Sequence, residues 1–150
     1  ADLRLTYGAA LYPDHRVQTL FADQMVIVQA NDGPIADAPR VHVNWGAAYA
    51  SLPGWSIWSA LQRASRPDMT QGHVVNDPHL AFGLVRQGQG AALVPKCIAP
   101  PDLHQVAAGL TLPWPYVLVC LNARARNRLL AALMDHLLLR LRPLSDTKGA

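Results

Sequence analysis

The sequence predicts an α/β chain in which short buried strands alternate with helices, and three observations carry that prediction. Residues 73–95, HVVNDPHLAFGLVRQGQGAALVP, read as a strand, a capped helix and a second buried strand. Apolar runs too short for helices recur at Met25–Val28, Ala91–Val94 and Tyr116–Leu121, as strands buried on both faces require. Trp55–Ala64 between them and Arg124–Leu141 after the last carry apolar residues three and four apart, the period of a helix.

Taken in order, Asp2–Thr6 alternates around Leu3 and Leu5 until Tyr7-Gly8 interrupts it, a strand running into a loop. Within Thr19–Ala30, Met25–Val28 is a buried strand. Asn31–Pro39 holds Asp-Gly-Pro and Ala-Pro and is the best linker in the chain. Arg40–Trp45 is a strand with Val41 and Val43 on one face, Gly46–Ala50 turns, and Pro53-Gly54 punctuates before the next helix. In that helix Trp55, Trp58 and Leu61 form a core-facing stripe, and Arg66-Pro67-Asp68 ends it; the aromatic pair reads as packing, not as a ligand box.

The central unit is the most informative. His73–Val75 is a strand, Asp77 stands at a helix N-cap, and Pro78 takes the first helical position, where its missing N–H costs nothing. Leu80, Leu84 and Val85 give the apolar spacing with Ala81 and Phe82 beside them, and Gly88 or Gly90 ends the helix. So compact a strand–helix–strand unit implies two parallel strands joined by a right-handed crossover. Ligands of such sheets sit beyond the carboxyl ends of the strands, near helix N-termini. Asn76, Asp77 and Pro95 are therefore a candidate small-molecule site, the plain alternative being an ordinary helix cap.

Beyond it, Pro100-Pro101-Asp102 is expected to start a short helix through about Ala108, stopped by Gly109, with Thr111–Pro115 as a connection. Tyr116–Leu121 is a strand. Arg124–Leu141 is the longest helix, with Leu130, Leu133, Met134, Leu137 and Leu141 on one face and Arg124, Arg128, Asp135 and Arg142 on the other. It reads as a helix packed on its own sheet in preference to one lying on a membrane. Pro143 stops it, and residues 146–150 are a solvated tail. The linker at 31–39 and the connection at 109–115 are the two places where the chain is expected to cross if it forms two lobes.

Composition narrows the class. With 51% apolar and 15% charged residues the chain is globular and no disordered tail, and 150 residues suffice for one domain or two small lobes. A net charge of +3 with no basic cluster argues against nucleic-acid binding by this segment. Cys97 and Cys120 lie in apolar surroundings and are expected to be buried thiols in a reducing compartment. No signal peptide opens the chain, and the longest apolar tract is broken by Asp135, His136 and Arg140, so a cytoplasmic protein without membrane contact is expected. The start at ADLRL falls inside a strand pattern, as in a fragment of a longer polypeptide.

Catalytic chemistry finds no carrier. Histidines 15, 42, 73, 79, 104 and 136 are scattered without metal-ligand spacing, and no G-x-S-x-G elbow is present. Neither cysteine has a catalytic flank. Gly88-Gln89-Gly90 follows a helix and precedes a strand, the reverse of a pyrophosphate loop. Ten acidic residues form no clustered pair. The pattern points to a binding module with no metal and no cofactor.

At this point the residues carry a likeness. ADLRLTYG resembles a D-L-[AR]-[IL]-x-x-G strand and loop; FADQMVIVQA resembles a strand where an acidic residue and valines precede a crossing between lobes; Trp55 and Trp58 resemble a W-x-x-W helix start. Most specific is LAFGLVRQGQGAALVP, which resembles L-x-x-x-V-x-x-G-x-G-[IVA]-[AT]-L-[LV]-P nearly position for position. Together, in this order, they resemble the C-terminal effector-binding domain of LysR-type transcriptional regulators. Against that family the winged helix-turn-helix and the opening strands and helices of lobe one are missing, and His42-Val43-Asn44-Trp45-Gly46 departs from the usual apolar strand and polar turn.

The resemblance implies a two-lobed, type 2 periplasmic-binding-protein-like α/β fold with lobe one incomplete. Lobe one would comprise 1–38 and 114–145, and lobe two 39–113. A small-molecule effector would bind in the cleft, lined by Tyr7 and Gly8 from lobe one and by Trp45, Asn76, Asp77 and Pro95 from lobe two. Tyr7 and Trp45 would enclose an apolar part of it. Backbone N–H groups at the 77–81 helix start would favour a carboxylate, partly opposed by Asp77, which a zwitterion would reconcile. The resemblance also implies self-association, and DNA binding only through a helix-turn-helix absent from this chain. A transporter's solute-binding protein and an α/β enzyme are the alternatives.

Overall fold

The computed structural model describes residues 3–8, 13–35, 38–62 and 72–141. The start of the first strand at Asp2, the stop at Arg66-Pro67-Asp68 and everything from Arg142 on lie outside the described residues. The chain forms two compact units, residues 1–23 with 113–150 and residues 24–112.

Unit one is built on a three-stranded antiparallel sheet of β1 (Leu3–Tyr7), β2 (His15–Phe21) and β8 (Tyr116–Leu121), in the order β1-β8-β2. β8, an apolar run, takes the centre because only a central strand buries both faces; Val117, Leu118, Val119 and Cys120 are all buried. β2 has no counterpart in the strands expected from sequence. Only its end, Leu20-Phe21, is buried, so five polar or half-exposed positions hide its pattern. On one face Leu20, Phe21, Leu118 and Cys120 pack with Met134 of the last helix, α3 (Arg128–Leu141).

α3 starts four residues later than its apolar pattern suggests, and the reason is a cap. Asn127 Oδ1 accepts from the backbone N–H of Leu129 (2.9 Å) and Leu130 (3.4 Å), which satisfies donors the first turn leaves open. Met134 is buried, with Leu130, Leu137, Leu138 and Leu141 packed beside it. Leu133, expected on that face, is half exposed, and Leu138 takes its place.

Unit two holds a mixed five-stranded sheet. Its strands are β3 (Gln24–Gln29), β4 (Arg40–Val43), β5 (Gly72–Val75), β6 (Ala91–Pro95) and β7 (His104–Thr111), in the order β5-β4-β6-β3-β7. β5 and β6 both run parallel to β4, which lies between them; β3 is antiparallel to β6 and β7. The two strands flanking the central helix are thus parallel, one strand apart. β3, which the sequence boundaries assign to lobe one, is a fully hydrogen-bonded inner strand of this sheet. β7 replaces the helix expected through Ala108. Val106, Ala108 and Leu110 point inward in strict alternation, the period-2 signal that the prolines upstream obscured.

α2 (Pro78–Arg86) covers one face of the sheet, burying Ala81, Phe82 and Val85 against Val26, Val28, Val41, Val43, Ala92 and Val94. Each such large side chain contributes roughly 1.5–3 kcal/mol relative to exposure. Leu80, one of the residues that gave the expected spacing, is 61% exposed instead. The helix stops where Gly88 and Gln89 donate to the carbonyls of Val85 and Leu84. Gly90 follows with φ +140°, its Cα so close to Pro39 that an added Cβ would stand 2.2 Å from the Pro39 carbonyl oxygen. That approach lets Ala91 donate to Pro39 at 2.9 Å and start β6 beside β4. α1 (Trp55–Leu61) is short and follows a 3₁₀ turn at Ala47–Tyr49. Cys120 is buried as expected, but Cys97 is exposed in the turn after β6.

Candidate functional site

Parallel strands deliver their carboxyl ends to one edge of a sheet, so β4, β5 and β6 bring Asn44-Trp45, Asn76-Asp77 and Pro95-Lys96 to the same edge of unit two. The Asn44 N–H donates to Val75 at 2.8 Å, which ties the ends of β4 and β5 together. Asn44 Oδ1 accepts from the Gly46 N–H at 3.1 Å, an Asx turn that swings the chain away from the sheet at Trp45. Asn76 is exposed immediately past β5. Asp77 is the N-cap that its position suggests: its carboxylate accepts from the His79 N–H at 2.6 Å, with extended φ/ψ at Asp77 and Pro78 behind it. One orphan donor of α2 is therefore already occupied by an anion of the protein's own.

Four of the six residues expected at the site thus share one edge. Pro95 is fully buried as the last residue of β6, in register with Met25, so it shapes the floor and offers no surface. The other two belong to unit one. Tyr7 closes β1 opposite Tyr116, its ring 5.5 Å from the Tyr116 ring, which in turn stacks on Phe21 at 4.9 Å. Only 6% of Tyr7 is exposed. Gly8 has φ +100°, a conformation that favours glycine, and donates its N–H to Pro115 at 3.0 Å.

Beside Trp45 lies a cavity of about 40 Å³, partly open to solvent. Its walls are Val43 and Leu93 from the sheet, Trp45, Leu52 and Pro53 from the loop, and Trp55 at the start of α1, with His42 and Gly54 completing it. Trp55 is fixed there. Its Nε1–H donates to the Val41 carbonyl at 3.1 Å, and its ring meets Trp58 edge-on at 5.5 Å. The Arg40 guanidinium lies 4.6 Å from the Trp55 ring centre and 5.5 Å from that of Trp58, and donates to the Ile35 carbonyl. Burial against the indoles draws Arg40 below the ordinary guanidinium range. The tryptophan pair is packing, as the sequence suggests, and Trp55 is also a wall of the cavity.

Sequence reasoning passed over Asn44, His42 and Lys96. The Asn-x-Gly triplet at 44–46 is a recognisable Asx-turn signal, and Lys96 is the first cation after the β6 apolar run; His42 carries no signal of its own. Among the described residues, no three His, Cys, Asp or Glu side chains gather in a way that would hold a metal ion. No helix among them is long and apolar enough to cross a membrane.

Comparison with known proteins agrees with this architecture. Residues 1–142 match the family model of the LysR substrate binding domain, and the chain belongs to that family, the effector-binding domains of LysR-type transcriptional regulators. Its fold class is the mixed α/β, type 2 periplasmic-binding-like class of those domains, incomplete in this chain. The regulatory domain of CrgA, a LysR-type transcriptional regulator from Neisseria meningitidis, is similar in structure, with a TM-score of 0.67 at 16% identity; the match covers 93% of this chain and 75% of that one. The effector domain of the transcriptional regulator AmpR of Pseudomonas aeruginosa is similar with a TM-score of 0.69 at 15% identity, over 96% of this chain and 74% of that one. The AmpR effector binding domain from Citrobacter freundii gives a TM-score of 0.63 at 17% identity, over 95% and 75%. No curated protein matches in sequence.

Proposed function

We propose that the chain senses a small anionic or zwitterionic metabolite for a LysR-type transcriptional regulator and performs no bond-making chemistry. The effector would lie in the interlobe cleft implied by the family's fold. Asn76, which both donates and accepts, and the α2 start would hold its polar end; Trp45 and Tyr7 would enclose its apolar part; Gly8 and Pro95 would supply backbone and shape. The observation that carries this reading is the convergence of the β4, β5 and β6 carboxyl ends beside the capped N-terminus of α2.

The Asp77 carboxylate weighs on the ligand's charge. Because it already accepts from His79, a pure anion meets a competing negative group, whereas an amine-bearing acid offers Asp77 a partner. Binding would shift the geometry of a self-associated parent protein, and so its DNA binding, only through differential affinity for two states. In this reading the parent is cytoplasmic, and DNA is contacted by a helix-turn-helix outside this chain.

The test is thermal denaturation of the 150-residue chain against a panel of carboxylates and α-amino acids. A saturable rise in melting temperature, reduced by Asn76→Ala, supports the reading. A panel that leaves the melting temperature unmoved contradicts it.

A further inference from the structure

The cavity beside Trp45 asks for something that none of its neighbours supplies. Val43, Trp55 and Leu93 are each buried, so its inner wall is largely apolar side-chain surface. Of the lining side chains only His42 and the two indoles carry a hydrogen-bonding group, and the Trp55 N–H is already given to Val41. A water needs two to four polar partners, and few of the lining side chains offer one. Its wall is also rigid, because Trp55 is held by the Val41 hydrogen bond, by Trp58 and by Arg40. Size narrows the occupant: about 40 Å³ is roughly a quarter of an engineered pocket that takes benzene, so one or two carbon atoms fill it. Its position narrows the occupant further, because Trp45 stands at the carboxyl end of β4, on the edge shared with Asn76 and the start of α2.

We propose that this cavity is a specificity subsite that takes the methyl or ethyl end of an aliphatic effector whose polar head lies toward Asn76 and α2. The proposal rests on the effector reading of that edge for its polar half, while the cavity itself can be tested without it. Such a subsite selects by chain length: each methylene buried adds about fourfold in affinity until the space is full, after which further carbons add nothing or clash.

Two measurements on the full chain test it. Xenon, dissolved under pressure, is expected to move the indole N–H signals of Trp45 and Trp55 in a ¹H–¹⁵N spectrum and to leave that of Trp114 in place. Along glycine, alanine, 2-aminobutyrate, norvaline and norleucine, and along the matching carboxylates, affinity is expected to rise about fourfold per carbon for one or two steps and then level or fall. Leu93→Phe enlarges a buried side chain of the inner wall; it is expected to abolish both the xenon shifts and the chain-length gain. Leu52→Phe fills the cavity from the 52–54 loop and serves if Leu93→Phe melts early. Indoles indifferent to xenon, or a series that binds with flat affinity, would overturn the proposal. If no member binds but xenon still shifts Trp45 and Trp55, the effector reading falls and the apolar site stands.

Discussion

The indole nitrogen of Trp55 donates to the carbonyl of Val41 across fourteen residues of sequence, at 3.1 Å and with both residues buried. One bond fastens the start of α1 to β4 and sets the wall of the cavity. Trp55→Phe keeps most of the ring and removes the donor, leaving a buried acceptor unpaired. A loss of about 1–3 kcal/mol is expected in urea denaturation, with the m-value unchanged. A neutral substitution would mean that this bond does not position α1.

Asp77 has two separable roles, cap and charge. Asp77→Ala is expected to cost about 0.5–2 kcal/mol in denaturation, while Asp77→Asn keeps an acceptor for the His79 N–H and costs little. On ligand binding, Asp77→Asn is expected to favour simple carboxylates and to weaken amino acids. Equal effects on both classes, read by calorimetry, would remove Asp77 from the recognition of charge.

Gly90 makes a close backbone approach to Pro39 in unit two. Gly90→Ala places a Cβ 2.2 Å from the Pro39 carbonyl oxygen, at a φ of +140° that L residues avoid. The chain must then open the Ala91–Pro39 hydrogen bond and lose the register between β4 and β6. A fall in stability of about 3 kcal/mol or more is expected, since backbone strain alone costs about 1–3 kcal/mol. An unchanged urea midpoint would contradict this packing.

Arg86 at the end of α2 holds Asp102 through two hydrogen bonds, at 2.7 and 3.0 Å, on an exposed surface. The hydrogen bond from Arg86 keeps the Asp102 carboxyl below the usual carboxylate range. Because the folded value lies below the unfolded one, the pair's contribution is complete above the ordinary carboxylate range and is lost as pH falls through the lowered value. Asp102→Asn is therefore expected to lower the melting temperature slightly at pH 7, with the difference closing in acid and shrinking in high salt. A difference that widens as the pH falls would contradict the assignment.

The parts legible in the sequence were those where one local rule dominates. Met25–Val28, Ala91–Val94 and, within Tyr116–Leu121, Val117–Cys120 are inner-strand segments with both faces buried, so their apolar runs announce them. Asp77-Pro78 fixes a helix start because cap and missing donor agree. His15–Phe21 stayed hidden because an edge strand with polar residues has no such signature, and among the described strands its hydrogen-bonded neighbour is β8. His104–Thr111 shows alternation but follows two prolines and an aspartate that imitate a helix start. At the candidate site, Asn76 and Asp77 follow from strand order and turn chemistry, and Trp45 from the family resemblance. The cavity does not, because it depends on Trp55 meeting Val41 and Leu93 in space.

The central claim is that a small charged metabolite binds where the parallel strands end. A ¹H–¹⁵N titration of the labelled chain with the best-binding carboxylate or amino acid of the panel tests it most directly. Saturable shifts are expected at Asn44–Gly46, Asn76–His79, Lys96 and Tyr7–Gly8, and not along α3. Saturable shifts confined to α3 or to the β2 edge, with the 44–46 and 76–79 amides unmoved, would contradict it.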